Sequence, residues 1–469
     1  MFYRLKTDYM LRGWEKMTGV LAKRPENEIQ PLSYEVFQAL LLCDGQTDLT
    51  DELLDARLKD ILKKCENEGL IEPCTEEKPL DPDQYYRYYD NRYVHSVFWS
   101  ITGKCNFRCR HCFMDAPEGE LGELSSEEAL ELIDQMAECG VLRVDITGGE
   151  PLVRRDFWQL TDRILSYKMV IGVVYTNGWL LNESVLDEFE RRGIKPDISV
   201  SFDGIGWHDW MRGVPGAEEA TLRALRLCRD RGFCTDVEMC IHRGNQGTLP
   251  ETIRVLKEAG VSSLKVSNVS ETELWKCHSD GNALSAEEYT EAMLRYIPEY
   301  FAAGRPMDLT LSGVVTLNTD GTYHIVAEPY DGTEGCLDCY MCGSTRMSCY
   351  ITPEGRLLPC MPMTASEKQK HFPRVQEIGL KQGLSDSMYL EFVNRRVKDL
   401  FAANKECGEC PYRLRCGGGC RATALLGGSH SLMGCDRIMC MLWEKGYVDR
   451  IRKTVENAIT EYEENKGGA

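Results

Sequence analysis

Residues 101–115 read ITGKCNFRCRHCFMD, and this stretch decides how the rest of the chain is to be read. It sets Cys105, Cys109 and Cys112 with three and then two residues between them, directly after an apolar run at 97–101 with the character of a strand. Three thiolates from one tight loop can ligate three irons of a [4Fe–4S] cube and leave the fourth open. Ferredoxin clusters close that corner with a further cysteine, and this loop offers none. An open iron binds a substrate or cofactor through nitrogen and oxygen, which makes a reaction centre rather than an electron wire. The competing reading is a zinc knuckle or three buried thiols. It is weaker, because zinc usually takes a fourth cysteine or histidine at short spacing.

The chain has 469 residues, enough for about three domains. Its formal charge of −19 argues against a nucleic-acid binder, which needs clustered cations to displace counterions from phosphates. It carries no apolar run long enough to cross a bilayer and no apolar secretory core near its start, so the expected location is cytoplasmic. The 22 cysteines then point to metal rather than disulfides. Eleven fall into ligand patterns. The others, among them Cys43, Cys65, Cys139 and Cys228, are expected as small buried hydrophobes.

Residues 1–75 read as a winged helix–turn–helix. Two hairpin strands (9–14 and 19–23) precede a helix after Ser33, and a second apolar stripe follows at Leu54, Leu58, Ile61, Leu62 and Cys65. Leu70 and Ile71 return as a wing strand. Ten Lys and Arg against fourteen Asp and Glu leave this segment without the cationic footprint of a DNA reader. Residues 76–95, rich in Asp, Pro and Tyr, read as a linker. Over 96–304 strand-like runs (97–102, 143–147, 170–176, 197–202, 235–241 and 264–269) alternate with helical stretches, which predicts a parallel sheet with helices outside. A bridging region (305–335), a cysteine-rich domain (336–445) and a C-terminal helix (446–469) complete the chain.

Chemistry-bearing residues should lie at the carboxyl ends of such strands. Gly148-Gly149-Glu150-Pro151 follows the second strand, with two glycines that admit close backbone approach and a carboxylate that can receive an ammonium. Thr176 and Asn177 end the third strand, and Ser201, Asp203 and Arg212 follow the fourth. Further on, Cys336, Cys339, Cys342 and Cys349 precede Cys360, and CGECPYRLRCGGGC supplies Cys407, Cys410, Cys416 and Cys420 before Cys435 and Cys440.

The cysteine triplet with its GGEP partner resembles the radical S-adenosylmethionine (SAM) superfamily, and the later cysteines resemble its SPASM extension. The resemblance implies an α/β fold with a partial (β/α)6 TIM-type barrel. It implies that Cys105, Cys109 and Cys112 hold the catalytic cluster, with His111 where the family usually has an aromatic beside the adenine. Gly148, Gly149, Glu150 and Pro151 would hold the SAM amino group, Thr176 and Asn177 would border the cofactor, Ser201 and Asp203 would approach the ribose, and Arg212 would grip the carboxylate. Two auxiliary [4Fe–4S] clusters are implied, one on Cys336, Cys342, Cys360 and Cys420, the other on Cys407, Cys410, Cys416 and Cys440, with Cys435 as the alternative last ligand.

The N-terminal layout resembles the recognition element of peptide-modifying radical enzymes, which takes a precursor's leader as an added strand. The function implied is maturation of a ribosomally made peptide: a 5′-deoxyadenosyl radical abstracts a hydrogen, and a crosslink (thioether, carbon–carbon or carbon–oxygen) forms. The expected partners are the precursor peptide and a reductant such as flavodoxin or ferredoxin, with neither nucleic acid nor membrane. The rivals are a sulfatase-type protein maturase, a SAM-dependent dehydrogenase of a small molecule, and a zinc-bearing peptide-binding scaffold.

Overall fold

The computed structural model describes residues 1–49, 55–114, 121–270, 272–427 and 431–467. Its N-terminal unit contains β1 (Phe2–Leu5), β2 (Tyr9–Glu15), β3 (Met17–Lys23) and β4 (Glu28–Pro31), then helices Tyr34–Leu41 and Ala56–Asn67, β5 (Ile71–Cys74) and β6 (Arg87–Arg92). Ser33 and Asp55 cap the two helices by accepting backbone N–H groups of Val36 and Leu58, each cap contributing about 1 kcal/mol. Leu54 lies outside the described residues. β5 pairs antiparallel with β1, and a second sheet runs β4-β3-β2-β6.

Alternation along β2 and β3 gives that second sheet two apolar faces. Leu11 and Leu21 face Phe37, Leu40 and Leu62 of the helices. Met10, Trp14, Val20 and Ala22 face the other way, onto Tyr93 and Leu142. The segment expected as a linker is therefore structural, because β6 pairs parallel with β2. Trp14 Nε1 and Asn91 Nδ2 both donate to Cys139 O (3.0 and 3.1 Å), and Asn27 Nδ2 donates to Leu142 O (2.9 Å). The N-terminal unit is thus built onto the central core.

The core sheet begins with β7 (Ser96–Ser100), β8 (Arg143–Thr147), β9 (Val170–Thr176), β10 (Asp197–Ser201), β11 (Thr235–Ile241), β12 (Ser263–Asn268) and β13 (Asp308–Leu311), each parallel to the one before. β14 (Val315–Leu317) and β15 (Tyr323–Ile325) extend it antiparallel beyond β13. At the other end β16 (Ser348–Ile351) lies parallel beside β7, followed by β17 (Leu357–Leu358). The result is one mixed eleven-stranded sheet with β15 and β17 at its edges. It is wider than the six expected units because the bridging region lends β13 and the cysteine-rich region lends β16.

Helices cover one face of this sheet. The first, Ser126–Glu138, is opened by the capping box of Ser125 with Glu128 and buries Leu132, Ile133 and Met136. Truncating such a core leucine to alanine costs about 2–5 kcal/mol. The opposite face is more polar. Along β11, Val237, Met239 and Ile241 are buried, whereas Asp236, Glu238 and Cys240 are only partly covered. This alternation gives the sheet an apolar side for the core and a polar side for chemistry. The C-terminal helix Tyr447–Gly467 docks on helix Ala286–Ala302, where Tyr447 and Arg450 bind Glu291.

Candidate active site

The loop after β7 carries Cys105, Cys109 and Cys112, all part-buried. Its backbone is pinned from the far side by the chain after β10: Arg108 N donates to Arg212 O (3.2 Å) and Arg110 N to Met211 O (2.9 Å). The Gly148–Glu150 turn after β8 holds the near side, with Gly149 N donating to Thr102 O (2.8 Å) and Glu150 N to Lys104 O (2.9 Å). A Cβ on Gly148 would lie 2.7 Å from Thr102 O, and one on Gly149 would overlap Lys104 O. The sequence suggested that these glycines admit a ligand. Their packing shows that they admit the cysteine loop's own backbone.

Phe107 N donates to Cys105 Sγ (3.4 Å), and Asn177 Nδ2 lies 3.9 Å from the same sulfur. Burial pushes the Cys105 thiol up to about 12 and raises the Cys109 thiol as well, although Arg212 opposes the latter. A metal must therefore displace these protons as it binds.

Glu150 is fully buried. Its carboxylate accepts from Leu152 N (3.1 Å), Asn177 N (2.8 Å) and Thr176 Oγ1 (2.9 and 3.0 Å to the two oxygens). All of these donors are neutral. Burial consequently raises its pKa to about 7, the hydrogen bonds offsetting only part of the desolvation. Pro151 opens a short turn, Pro151–Val153, beside it. Ser201 closes β10, part-exposed.

Asp203 and Arg212 are both buried and bind one another, with Arg212 Nε 2.7 Å from the carboxylate. Expected at the ribose and at the carboxylate of SAM, the two stand as an ion pair, because neither charge can be left alone out of water. Burial alone would raise the Asp203 carboxyl, but Arg212 holds it far below the usual range. Arg212 Nη1 reaches to 3.8 Å from Cys109 Sγ.

His111 Nδ1 is buried without a hydrogen-bond partner. Burial, with Arg212 adding to it, pushes the imidazole down to about 4. Potential ligand atoms of His111, Asp203 and Cys240 all lie within 4.8 Å of one another. Cys240 escaped sequence reasoning, which counted it among the scattered thiols. Its place on the polar side of β11's alternation was the available signal. Asn245 Nδ2, which donates to Asp203 O and Cys240 O (both 2.8 Å), was likewise missed.

In the cysteine-rich region, Cys407, Cys410, Cys416, Cys435 and Cys440 line one cavity of about 160 Å³. Cys435 and Cys440, alternatives in the sequence, thus face the same space. Cys360 is pushed up to about 12 by burial, with the Cys420 and Cys342 thiols adding to the shift. Cys336 neighbours Cys339, which is exposed. Cys349 packs in the main core.

A parallel run of strands that delivers a three-cysteine loop, clamped by a Gly-Gly-Glu turn, is the arrangement expected of a radical SAM domain. Residues 99–256 match the Radical SAM superfamily, and the chain carries the radical SAM domain of an enzyme of this kind. It is similar to the PqqA peptide cyclase of Granulibacter bethesdensis, 28% identical over 330 residues that cover 69% of this chain and 81% of that protein. It is also similar to the AdoMet-dependent heme synthase of Methanosarcina barkeri, 27% identical over 349 residues that cover 70% and 91%. Among solved structures it shares its fold with Streptococcus suis SuiB bound to the precursor peptide SuiA, at a TM-score of 0.65 and 16% identity over 94% of this chain and 100% of that one.

Proposed function

We infer that this enzyme modifies a ribosomally made precursor peptide, abstracting a hydrogen and forming a thioether, carbon–carbon or carbon–oxygen crosslink. The observation that carries a peptide substrate is the N-terminal sheet. Both of its faces are covered, so it can meet a partner only along an edge. On β4, Leu32 N donates inward to Gly19 O, and the register Ala22↔Ile29 and Val20↔Pro31 turns the Ile29 N–H and the Ile29 and Pro31 carbonyls outward. An extended leader pairs with such groups, leaving its other end free to react. The likeness to SuiB, solved with its own precursor peptide, covers 94% of this chain, more than the residues from Ser96 onward can supply.

The core fits SAM. Glu150 is a buried carboxylate surrounded by neutral donors, which an ammonium would complement, and the orphaned Nδ1 of His111 offers a partner to a nitrogen-rich base. When bound, SAM and the cluster on Cys105, Cys109 and Cys112 supply one-electron cleavage and hydrogen abstraction. The protein positions and excludes water. Glu150 receives the amino group, Thr176 and Asn177 hold that carboxylate in place, Ser201 borders the ribose, and Arg212 with Asp203 fixes the loop at Cys109.

In this reading two auxiliary clusters occupy the sets Cys336, Cys342, Cys360, Cys420 and Cys407, Cys410, Cys416, Cys440. Clusters held there would supply a one-electron acceptor for the substrate radical, and a flavodoxin or ferredoxin would supply the reducing electron. Thiol-held clusters suit a reducing cytoplasm, and no described helix is long and apolar enough to cross a membrane. A heme-synthase-like activity would use the same core but has no use for a peptide-pairing edge. The test is mass spectrometry of candidate precursor peptides after anaerobic incubation with enzyme, SAM and reductant. A loss of two hydrogens, localised by fragmentation, is expected. A tetrapyrrole product with every peptide untouched would refute the reading.

A further inference from the structure

Five thiols line the cavity at Cys407, Cys410, Cys416, Cys435 and Cys440, one more than a fully ligated cube requires. Cys435 is 3% exposed, and its Sγ lies 3.5 Å from Cys407 Sγ. As the two thiols stand, in contact, they point at one another rather than at separate irons, which favours one ligand from this pair. Cys407 belongs to the tightly spaced run with Cys410 and Cys416, which leaves Cys435 as the supernumerary thiol.

Asn404 orients the pair. Its Nδ2 donates to Cys435 Sγ (3.5 Å) and to Met433 O (2.8 Å), while its Oδ1 accepts Cys407 N (3.1 Å). The Cys435 sulfur already accepts a hydrogen bond from Asn404, and a Cys407 that holds iron has no proton to give. Of the acceptors within reach of the Cys435 S–H, Cys407 Sγ at 3.5 Å is nearer than Asn404 Oδ1 at 3.9 Å, and the Glu406 carboxylate also draws on it, so Cys435 is the donor in the contact with Cys407.

Resting on the reading that this cavity holds an auxiliary [4Fe–4S] cluster, we propose that Cys407, Cys410, Cys416 and Cys440 are its ligands and that Cys435 is a non-ligating thiol donating S–H···S to Cys407. A hydrogen bond to a ligating sulfur disperses its charge and favours the reduced state, raising the cluster's potential. Cys435 would then make this cluster a better electron acceptor, with Asn404 as a positioning residue.

The test uses the full chain, reconstituted anaerobically, with iron and sulfide analysis and an EPR-monitored redox titration. Cys435→Ala is expected to keep about twelve irons and to lower the midpoint of one cluster. Asn404→Ala should shift the same midpoint in the same direction. Cys435→Ser, which retains a donor, should fall nearer the wild type, and Cys440→Ala should lose iron. If Cys435→Ala sheds a cluster's iron while Cys440→Ala keeps it, or if Cys435→Ala keeps its iron at an unmoved midpoint, the proposal is overturned. Zinc without sulfide in the wild type would instead defeat the cluster reading beneath it.

Discussion

Arg212 sets Nε 2.7 Å from the Asp203 carboxylate and Nη1 3.8 Å from Cys109 Sγ, so one buried guanidinium joins the chain after β10 to the middle cysteine of the loop after β7. Removing one partner of a buried pair leaves the other uncompensated, at about 3–5 kcal/mol. Asp203→Asn should therefore lower stability to urea by that order and reduce 5′-deoxyadenosine formation. Arg212→Lys keeps the charge but loses the planar fork, and should impair SAM cleavage more than stability. Full cleavage in both variants would confine the pair to a structural role.

Cys109→Ala removes one of the three loop thiols. The expected outcome is no 5′-deoxyadenosine at all, with iron falling from about twelve towards about eight per chain as one cube is lost. Deoxyadenosine production by this variant would contradict the radical assignment.

Glu150 ties SAM binding to pH. Its pKa stands at about 7 in the folded protein against an ordinary 4.5. Below about 4.5 both states are protonated and the contribution to stability is complete. Between there and 7 the unfolded chain ionises first, so stability falls as pH rises, by about 3 kcal/mol at most. Above 7 this dependence levels off. An ammonium beside Glu150 would bring its pKa back down, so SAM binding near pH 7 should release protons. Calorimetry in buffers of different ionisation enthalpy reads this directly. Glu150→Gln should abolish the release and weaken SAM binding about tenfold or more. Identical apparent enthalpies in all buffers for the wild type would remove Glu150 from the amino-group site.

The runs 97–102, 143–147, 170–176, 197–202, 235–241 and 264–269 fall on β7 to β12 to within about two residues at each end, because strands packed under helices carry their burial in local apolar pattern. The same pattern could not reveal β6, whose sequence RYYDNR looks like a solvated connector until β2 pairs with it. Nor could it reveal β16, a four-residue run that becomes a core strand only beside β7, some 250 residues earlier. The site divides along the same line. Cysteine and glycine spacings are local and legible. The Asp203–Arg212 pair and the approach of Cys240 to His111 join the loops after β7 and β10 to strand β11, and only the folded sheet brings them together.

The edge of β4 tests leader capture more cleanly than deletion of residues 1–75. Deletion would strip β2 from β6, remove Trp14 from its bond to Cys139 O and uncover Tyr93 and Leu142, so the core itself would suffer. Ile29→Pro removes one outward N–H, along with part of the Ile29 packing beside Trp14, while leaving the inward bond of Leu32 to Gly19 O in place. One lost backbone hydrogen bond amounts to about 1 kcal/mol, roughly fivefold in affinity. The expected result is weaker binding of the full precursor by about that factor, with SAM cleavage in the absence of peptide unchanged. A control variant, Glu28→Ala, alters a side chain on the same strand but spares its backbone donors, and should bind as the wild type does. If Ile29→Pro captures precursor with undiminished affinity, the leader does not pair along β4. The remaining edge of the sheet is β6, where the tyrosine-rich strand Arg87–Arg92 exposes Tyr88 at 51%, and Tyr88→Ala would then be the variant in which binding is lost.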